Sequence, residues 1–252
     1  MDFDDQVILV TGASRGIGRA VALRFAEQGG TVVVHYASDH AAAEATLAAL
    51  PGEGHRTAAA DLADPDAVER LVADVVGTHG RVDVLVNNAG IFEEHPVLGT
   101  DYRQWRESWR RTLDTNLVGP ANLIHEVVPQ MVARGGGRIV NVSSRGAFRG
   151  EPEHTAYGAS KAGLNSLGQS LAQELAPHGV YVTTVAPGFV ETDMTTSHLD
   201  GPRGDAIRAQ SPMGRTATAQ EVARVVVFLA APGAEAMTGA IVDVNGASYL
   251  RT

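Results

Sequence analysis

The residues with the clearest chemical potential are Tyr157 and Lys161, in the run Tyr157-Gly158-Ala159-Ser160-Lys161. Residues four apart share one face of a helix, so a helical segment here stands a phenol beside an ammonium. An adjacent cation stabilises phenolate and is expected to draw the tyrosine pKa down from about 10 toward the working range. Such a phenol passes protons at neutral pH. The spacing alone also describes an ordinary surface pair. Its weight comes from the groups around it, beginning with Ser143 and Ser144, which close the apolar run Arg138–Val142 just upstream.

A second chemical element lies near the start of the chain. Val7–Val10 is an apolar run, followed at once by Thr11-Gly12-Ala13-Ser14-Arg15-Gly16-Ile17-Gly18 and a helical pattern over Arg19–Gln28. A strand, a glycine-rich turn and a helix start together make a phosphate site, because free N–H groups and the helix dipole favour anionic oxygens. The Gly-x-x-x-Gly-x-Gly spacing differs from the commoner dinucleotide fingerprint, and glycines that merely make a tight turn are the plainer alternative. The next strand, Thr31–Tyr36, ends without the carboxylate that usually holds a ribose 2′-hydroxyl. Tyr36, Ala37 and Ser38 stand there instead, and Asp39 is expected to cap the helix Ala41–Leu50. Arg15 is placed to meet a 2′-phosphate, which favours NADP(H) and leaves NAD(H) as the alternative.

Further candidates fall at the ends of later apolar runs. Arg56–Leu62 reads as a strand carrying Asp61, suited either to an adenine amine or to a turn. Val82–Val86 ends in Asn87-Asn88-Ala89-Gly90, where asparagines tie loops together and Ala-Gly leaves room for a flat ligand. Thr100–Val118 reads as a long helix in which Trp105 and Trp109 bury a stripe, and Asn116 sits at an unfavourable mid-helix position that suggests a hydrogen-bonding task. Tyr181–Ala186 ends in Pro187-Gly188, and Glu191–Gln210 is expected to form a flap. Thr218 and Glu221 form a capping box opening a helix to about Ala230, before a last strand at Ala240–Val244.

Apolar strands alternating with helices predict an α/β fold: a doubly wound, Rossmann-type parallel sheet of about seven strands with helices on both faces, one domain over residues 1–252. Ligands bind such sheets outside the carboxyl ends of the strands, and the candidates all fall on that rim. Twenty basic against twenty-nine acidic residues, a net charge of −9, argue against nucleic acid or an anionic membrane as partner. The absence of cysteine excludes disulfides, zinc-thiolate sites and thiol nucleophiles, and no metal site is expected. An acidic start without a secretion pattern and no membrane-length apolar run make the cytoplasm the expected location.

In this order and over nearly the whole chain, the motifs resemble those of the short-chain dehydrogenase/reductase family. They are the glycine turn, Asp61, Asn87–Gly90, Asn116, Ser144, Tyr157-x-x-x-Lys161, Pro187-Gly188 and Thr192; the stretch from Thr238 to Gly246 is similar to the 3-oxoacyl-carrier-protein reductase branch. The resemblance implies that Tyr157 exchanges a proton with a carbonyl or alcohol oxygen and that Ser144, rather than Ser143, steadies it. It further implies that Lys161 tunes Tyr157 and holds the nicotinamide ribose, while Asn116 holds a relay water. Cofactor contacts are implied for Gly12, Ser14, Arg15, Gly16, Ile17, Gly18, Tyr36, Ser38, Asp61, Leu62, Asn88, Ala89, Gly90, Tyr157, Lys161, Pro187, Gly188, Val190 and Thr192. The implied substrate is a ketone, a secondary alcohol or a 3-oxoacyl thioester on CoA or a carrier protein. The positions where that branch carries basic docking residues hold Gly135 and Gln173, with Arg134 adjacent, and Thr100–Trp109 is about one turn longer than usual. A homotetramer is expected from the small residues Ala156, Ala159, Ala162 and Gly163 and from the resemblance, with a dimer as fallback. The alternatives are a dinucleotide sensor without turnover and an NAD-dependent alcohol dehydrogenase of the same family.

Overall fold

A computed structural model describes residues 2–192, 195–196, 199–202 and 204–251. The expected parallel sheet is present, seven strands in the order β3-β2-β1-β4-β5-β6-β9. These are β1 (Val7–Val10), β2 (Thr31–Tyr36), β3 (Arg56–Ala59), β4 (Val84–Asn87), β5 (Gly137–Val142), β6 (Val180–Pro187) and β9 (Ile241–Val244). A separate parallel pair joins β7 (Val190–Glu191) to β8 (Ala217–Thr218). The apolar strands are buried because both faces are covered. Ile8 and Val10 of β1 point into one core with Val21 and Phe25 of helix α1 (Gly16–Ala26) and Val222 and Val226 of the helix Ala219–Ala230. Val7 and Leu9 point the other way, toward Leu71 and Val75 of α3 (Pro65–His79) and Leu123 and Val127 of α5 (Gly119–Ala133). Each fully buried aliphatic side chain contributes roughly 1.5–3 kcal/mol, and truncating one such as Leu85 to alanine costs about 2–5 kcal/mol.

Local signals set the helix starts. Asp39 accepts from the Ala42 amide and begins α2 (His40–Leu47), so its carboxylate caps a helix as expected. Asp64 accepts from Asp66, with Pro65 at the first helical position of α3. The Thr218–Glu221 box is closed in both directions. The strand expected at Arg56–Leu62 stops at Ala59, because Asp61 accepts from Ala63 and turns the chain.

Two expectations are corrected between Thr100 and Val118. The long helix is α4 (Tyr102–Leu113) followed by a π-helical turn at Asp114–Val118, which carries Asn116. The Trp105–Trp109 stripe is also not buried within the chain. The two indoles lean on each other at 5.2 Å, Trp105 also stacks on Tyr102, and Thr112 is the helix's one buried residue. Further α-helices among the described residues are α6 (Gly146–Arg149), α7 (Thr155–Leu175), α8 (Gly204–Arg208) and α9 (Ala219–Ala230). Part of the expected flap at 191–210 lies outside the described residues. Of the small residues on α7, Ala156 is buried and Gly163 lets Leu117 of the π turn pack close, while Ala159 and Ala162 are exposed.

Candidate active site

The glycine turn is built by its neighbours as much as by its own sequence. Gly12 and Gly16 take left-handed backbone angles, φ +61° and +56°, which side chains disfavour. A Cβ on Gly12 would lie 2.9 Å from the Ala89 Cα, so the loops after β1 and β4 touch backbone to backbone. The Asn88 side chain donates to the carbonyls of Thr11 (2.8 Å) and Gly12 (3.1 Å), and the Thr11 hydroxyl accepts from the amides of Asn88 and Ala89. Asn87 donates to Asn141 at 2.9 Å and joins β4 to β5. Gly18 lets α1 close against this turn, since a Cβ there would fall 2.2 Å from the Gly12 carbonyl.

One member of this framework was not apparent in the sequence. His35, buried in β2, accepts from the Gly12 amide at 3.1 Å and donates through Nε2 to the Ala60 carbonyl at 3.0 Å. Burial pushes its pKa down to about 4, so the neutral ring performs both tasks. The available signal was a lone histidine inside the apolar run Thr31–Tyr36.

At the carboxyl ends of the strands lies a cavity of about 390 Å³. Every residue expected to contact the cofactor or substrate borders it except Gly18 and Asn116. Ile91, Thr115, Val142, Ser143 and Thr195 also border it, though none stood out as a cofactor contact. Asn116 acts one step away. It is fully buried, accepts from the Ile91 amide (2.9 Å), and donates to the Ile91 carbonyl (3.0 Å) and Ser160 Oγ (3.2 Å). The π turn aims this amide at the segment after Gly90, where a Cβ would lie 3.3 Å from Asn116 Oδ1 and 3.4 Å from Lys161 Nζ.

The proton-active groups meet across the end of β5. Tyr157 and Ser144 wall the same cavity, and the Ser144 Oγ accepts from the Gly146 amide at 3.0 Å. The Ser143 hydroxyl donates instead to the Lys161 carbonyl at 3.2 Å. Lys161 Nζ lies 5.8 Å from the Tyr157 ring centre and donates to the Val142 carbonyl at 2.9 Å. The expected lowering of the Tyr157 pKa is reversed. Burial pushes the phenol up to about 12, with Glu151 adding to the rise and Ser144 opposing it, while burial pushes Lys161 down to about 8. Loss of water outweighs any help from an amine tied back to a strand carbonyl. The Tyr157 phenol is therefore protonated at neutral pH.

The rim fits a dinucleotide phosphate. The first turn of α1 carries no side-chain cap, leaving amides free at the cavity edge, and no described carboxylate forms an ion pair with the exposed Arg15. Asp39 and Asp61 are engaged with backbone amides, and the Tyr36 hydroxyl with His40 Nδ1 at 3.0 Å. Among the described residues no three metal-ligating side chains converge, and no helix is long and apolar enough to cross a membrane.

The family described as enoyl-(acyl carrier protein) reductase matches residues 12–247. A 3-oxoacyl-[acyl-carrier-protein] reductase FabG of Staphylococcus epidermidis is 40% identical over 244 residues, 96% of this chain and 98% of that one. Those of Vibrio harveyi and Escherichia coli are each 38% identical over 250 residues, covering 99% of this chain and 100% of theirs. The chain belongs to the short-chain dehydrogenase/reductase family. It is an NAD(P)-dependent oxidoreductase of carbonyl and CH–OH groups, with NADP(H) the favoured cofactor.

Proposed function

We propose that this enzyme reduces the 3-oxo group of an acyl thioester, with NADP(H) bound along the rim from Arg15 to Thr192. The carrying observation is that Ser144, Tyr157 and Lys161 together border the cavity that the glycine turn opens into. The bound nicotinamide supplies the hydride. Ser144 orients the carbonyl oxygen, and Tyr157, protonated at neutral pH, donates the proton as charge develops there. Lys161 and Asn116 hold the floor of the site through Val142 and Ile91, and Lys161 is also placed to meet ribose hydroxyls. The relatives' 3-oxoacyl names favour a thioester over a simple ketone.

A CoA thioester and a carrier-protein thioester are both accommodated by this reading. The exposed Gln173 and Arg134, with Gly135 between elements, offer a carrier protein a single basic group there, which favours CoA or pantetheine forms. We assign the chain one domain, a cytoplasmic location and a homotetrameric assembly. The half-open Trp105–Trp109 stripe, whose two indole N–H groups are enclosed without partners, supports burial against another copy.

The test follows nicotinamide absorbance with 3-oxobutanoyl-CoA, its pantetheine analogue and simple ketones, using both cofactors. Tyr157→Phe is expected to lose about 100-fold or more in kcat while NADPH still binds. Turnover surviving in that variant would remove Tyr157 as the proton donor. A protein that binds NADPH yet reduces none of the panel would favour a sensor.

A further inference from the structure

Beyond the cofactor cleft the space continues. A throat of about 60 Å³, walled by Ser144, Tyr157, Phe92 and Phe189, leads outward, and Phe92, Glu151 and Phe189 are shared with an outer pocket of about 420 Å³. Arg145, the residue after Ser144, also walls the throat, yet it is only 2% exposed and is the largest fully buried side chain. A buried guanidinium is costly unless hydrogen bonds and opposite charge offset its lost water.

Its partners come from separate parts of the chain. One terminal nitrogen donates to Ser248 Oγ in the turn after β9, and the other to Gln210 Oε1 just after α8, both at 2.7 Å. The guanidinium lies 5.0 Å from the Phe189 ring centre, and Nε stands 3.8 Å from a Glu151 carboxylate oxygen. Its own amide donates to the Pro187 carbonyl. Gln210 Oε1 accepts from Arg149 as well, at 3.2 Å, and Arg251 lies over the Phe148 ring at 4.5 Å, so α6 is held from two sides.

Resting on the acceptor reading above, we propose that Arg145 is the positioning residue that assembles the acceptor pocket. Through one planar fork it fixes Gln210, just after α8, and the turn at Ser248 against the backbone that presents Ser144. The Arg145 side chain touches neither the glycine turn nor Arg15, and the network meets the cofactor side at Pro187, through the Arg145 amide, and at Gly188, beside Ser248. Loosening the fork at Gln210 therefore acts on the acceptor far more than on the cofactor. Lysine in its place keeps the charge but replaces the rigid planar fork with a single ammonium on a flexible stem.

The experiment compares Arg145→Lys, Gln210→Ala and Ser248→Ala with wild type by steady-state kinetics on 3-oxobutanoyl-CoA, NADPH titration, melting temperature and hydrogen exchange. Gln210→Ala is expected to raise the acceptor KM about fivefold or more, with NADPH affinity held within about twofold. Arg145→Lys is expected to lower kcat/KM further, and adding Gln210→Ala to it to cost little more, because the two act as one unit. Amides of 147–150 exchange faster in both variants. An unchanged acceptor KM, losses shared equally with NADPH, or a lower melting temperature with intact kinetics would each overturn the proposal. Should wild type reduce no carbonyl, the acceptor reading fails separately. The exchange rates at 147–150 then decide whether Arg145 organises this pocket.

Discussion

Lys161 is the sole lysine in the sequence; every other cationic side chain of this type is arginine. Arginine stays charged when buried, whereas an amine with its pKa brought down to about 8 can shed its proton. The type of this residue was therefore legible, but the direction of the Tyr157 shift was not, because spacing says nothing about lost water. His35 permits a sharper test. Its folded pKa of about 4 lies below the unfolded value of 6.5, so the unfolded chain binds the extra proton first. Stability is complete above pH 6.5 and falls as pH drops from there to 4, by roughly 3 kcal/mol from this group. His35→Gln, which can still accept from Gly12 and donate to Ala60, is expected to flatten that acid limb in melting temperatures taken between pH 7 and 4.5. An identical slope would show that His35 does not set it.

Elements carry the next level of control. The Gly-x-x-x-Gly-x-Gly turn was readable as a phosphate loop, but not the partner each glycine accommodates. Gly18→Ala would drive a methyl into the Gly12 carbonyl, and backbone cannot yield as a side-chain tip can. It is expected to cost about 1–3 kcal/mol in denaturant unfolding and to weaken NADPH and NADH alike. A stable variant with full affinity would contradict that packing. Asn116 shows the opposite limit. A mid-helix asparagine signalled a task, yet the π turn that aims it at Ile91 arises from packing among α4, α5 and α7, which no single window of sequence contains.

At the scale of the molecule, the strand order decides where ligands go. After β3, β2 and β1 run to one side, β4 begins the other, and the cleft opens at that reversal. Binding there stabilises the whole fold. NADPH at a hundredfold excess over Kd adds about 2.7 kcal/mol, or roughly 5–10 °C in melting temperature for a chain of this size. NADH at the same concentration is expected to shift it less, and Arg15→Ala to erase most of the difference. Equal losses for the two cofactors would remove Arg15 as the 2′-phosphate ligand.

The sequence by itself determined the alternation of the main strands and helices, the glycine turn, the helix caps and which side chains are candidates for the chemistry. These depend on residue type, short spacing and hydrophobic period, which are local properties. Only the tertiary structure decided that the Ser143 hydroxyl turns to the Lys161 carbonyl, that Arg145 gathers Gln210 and Ser248, and that the phenol is held protonated. Each of those depends on which distant groups arrive together and on how much water their meeting removes.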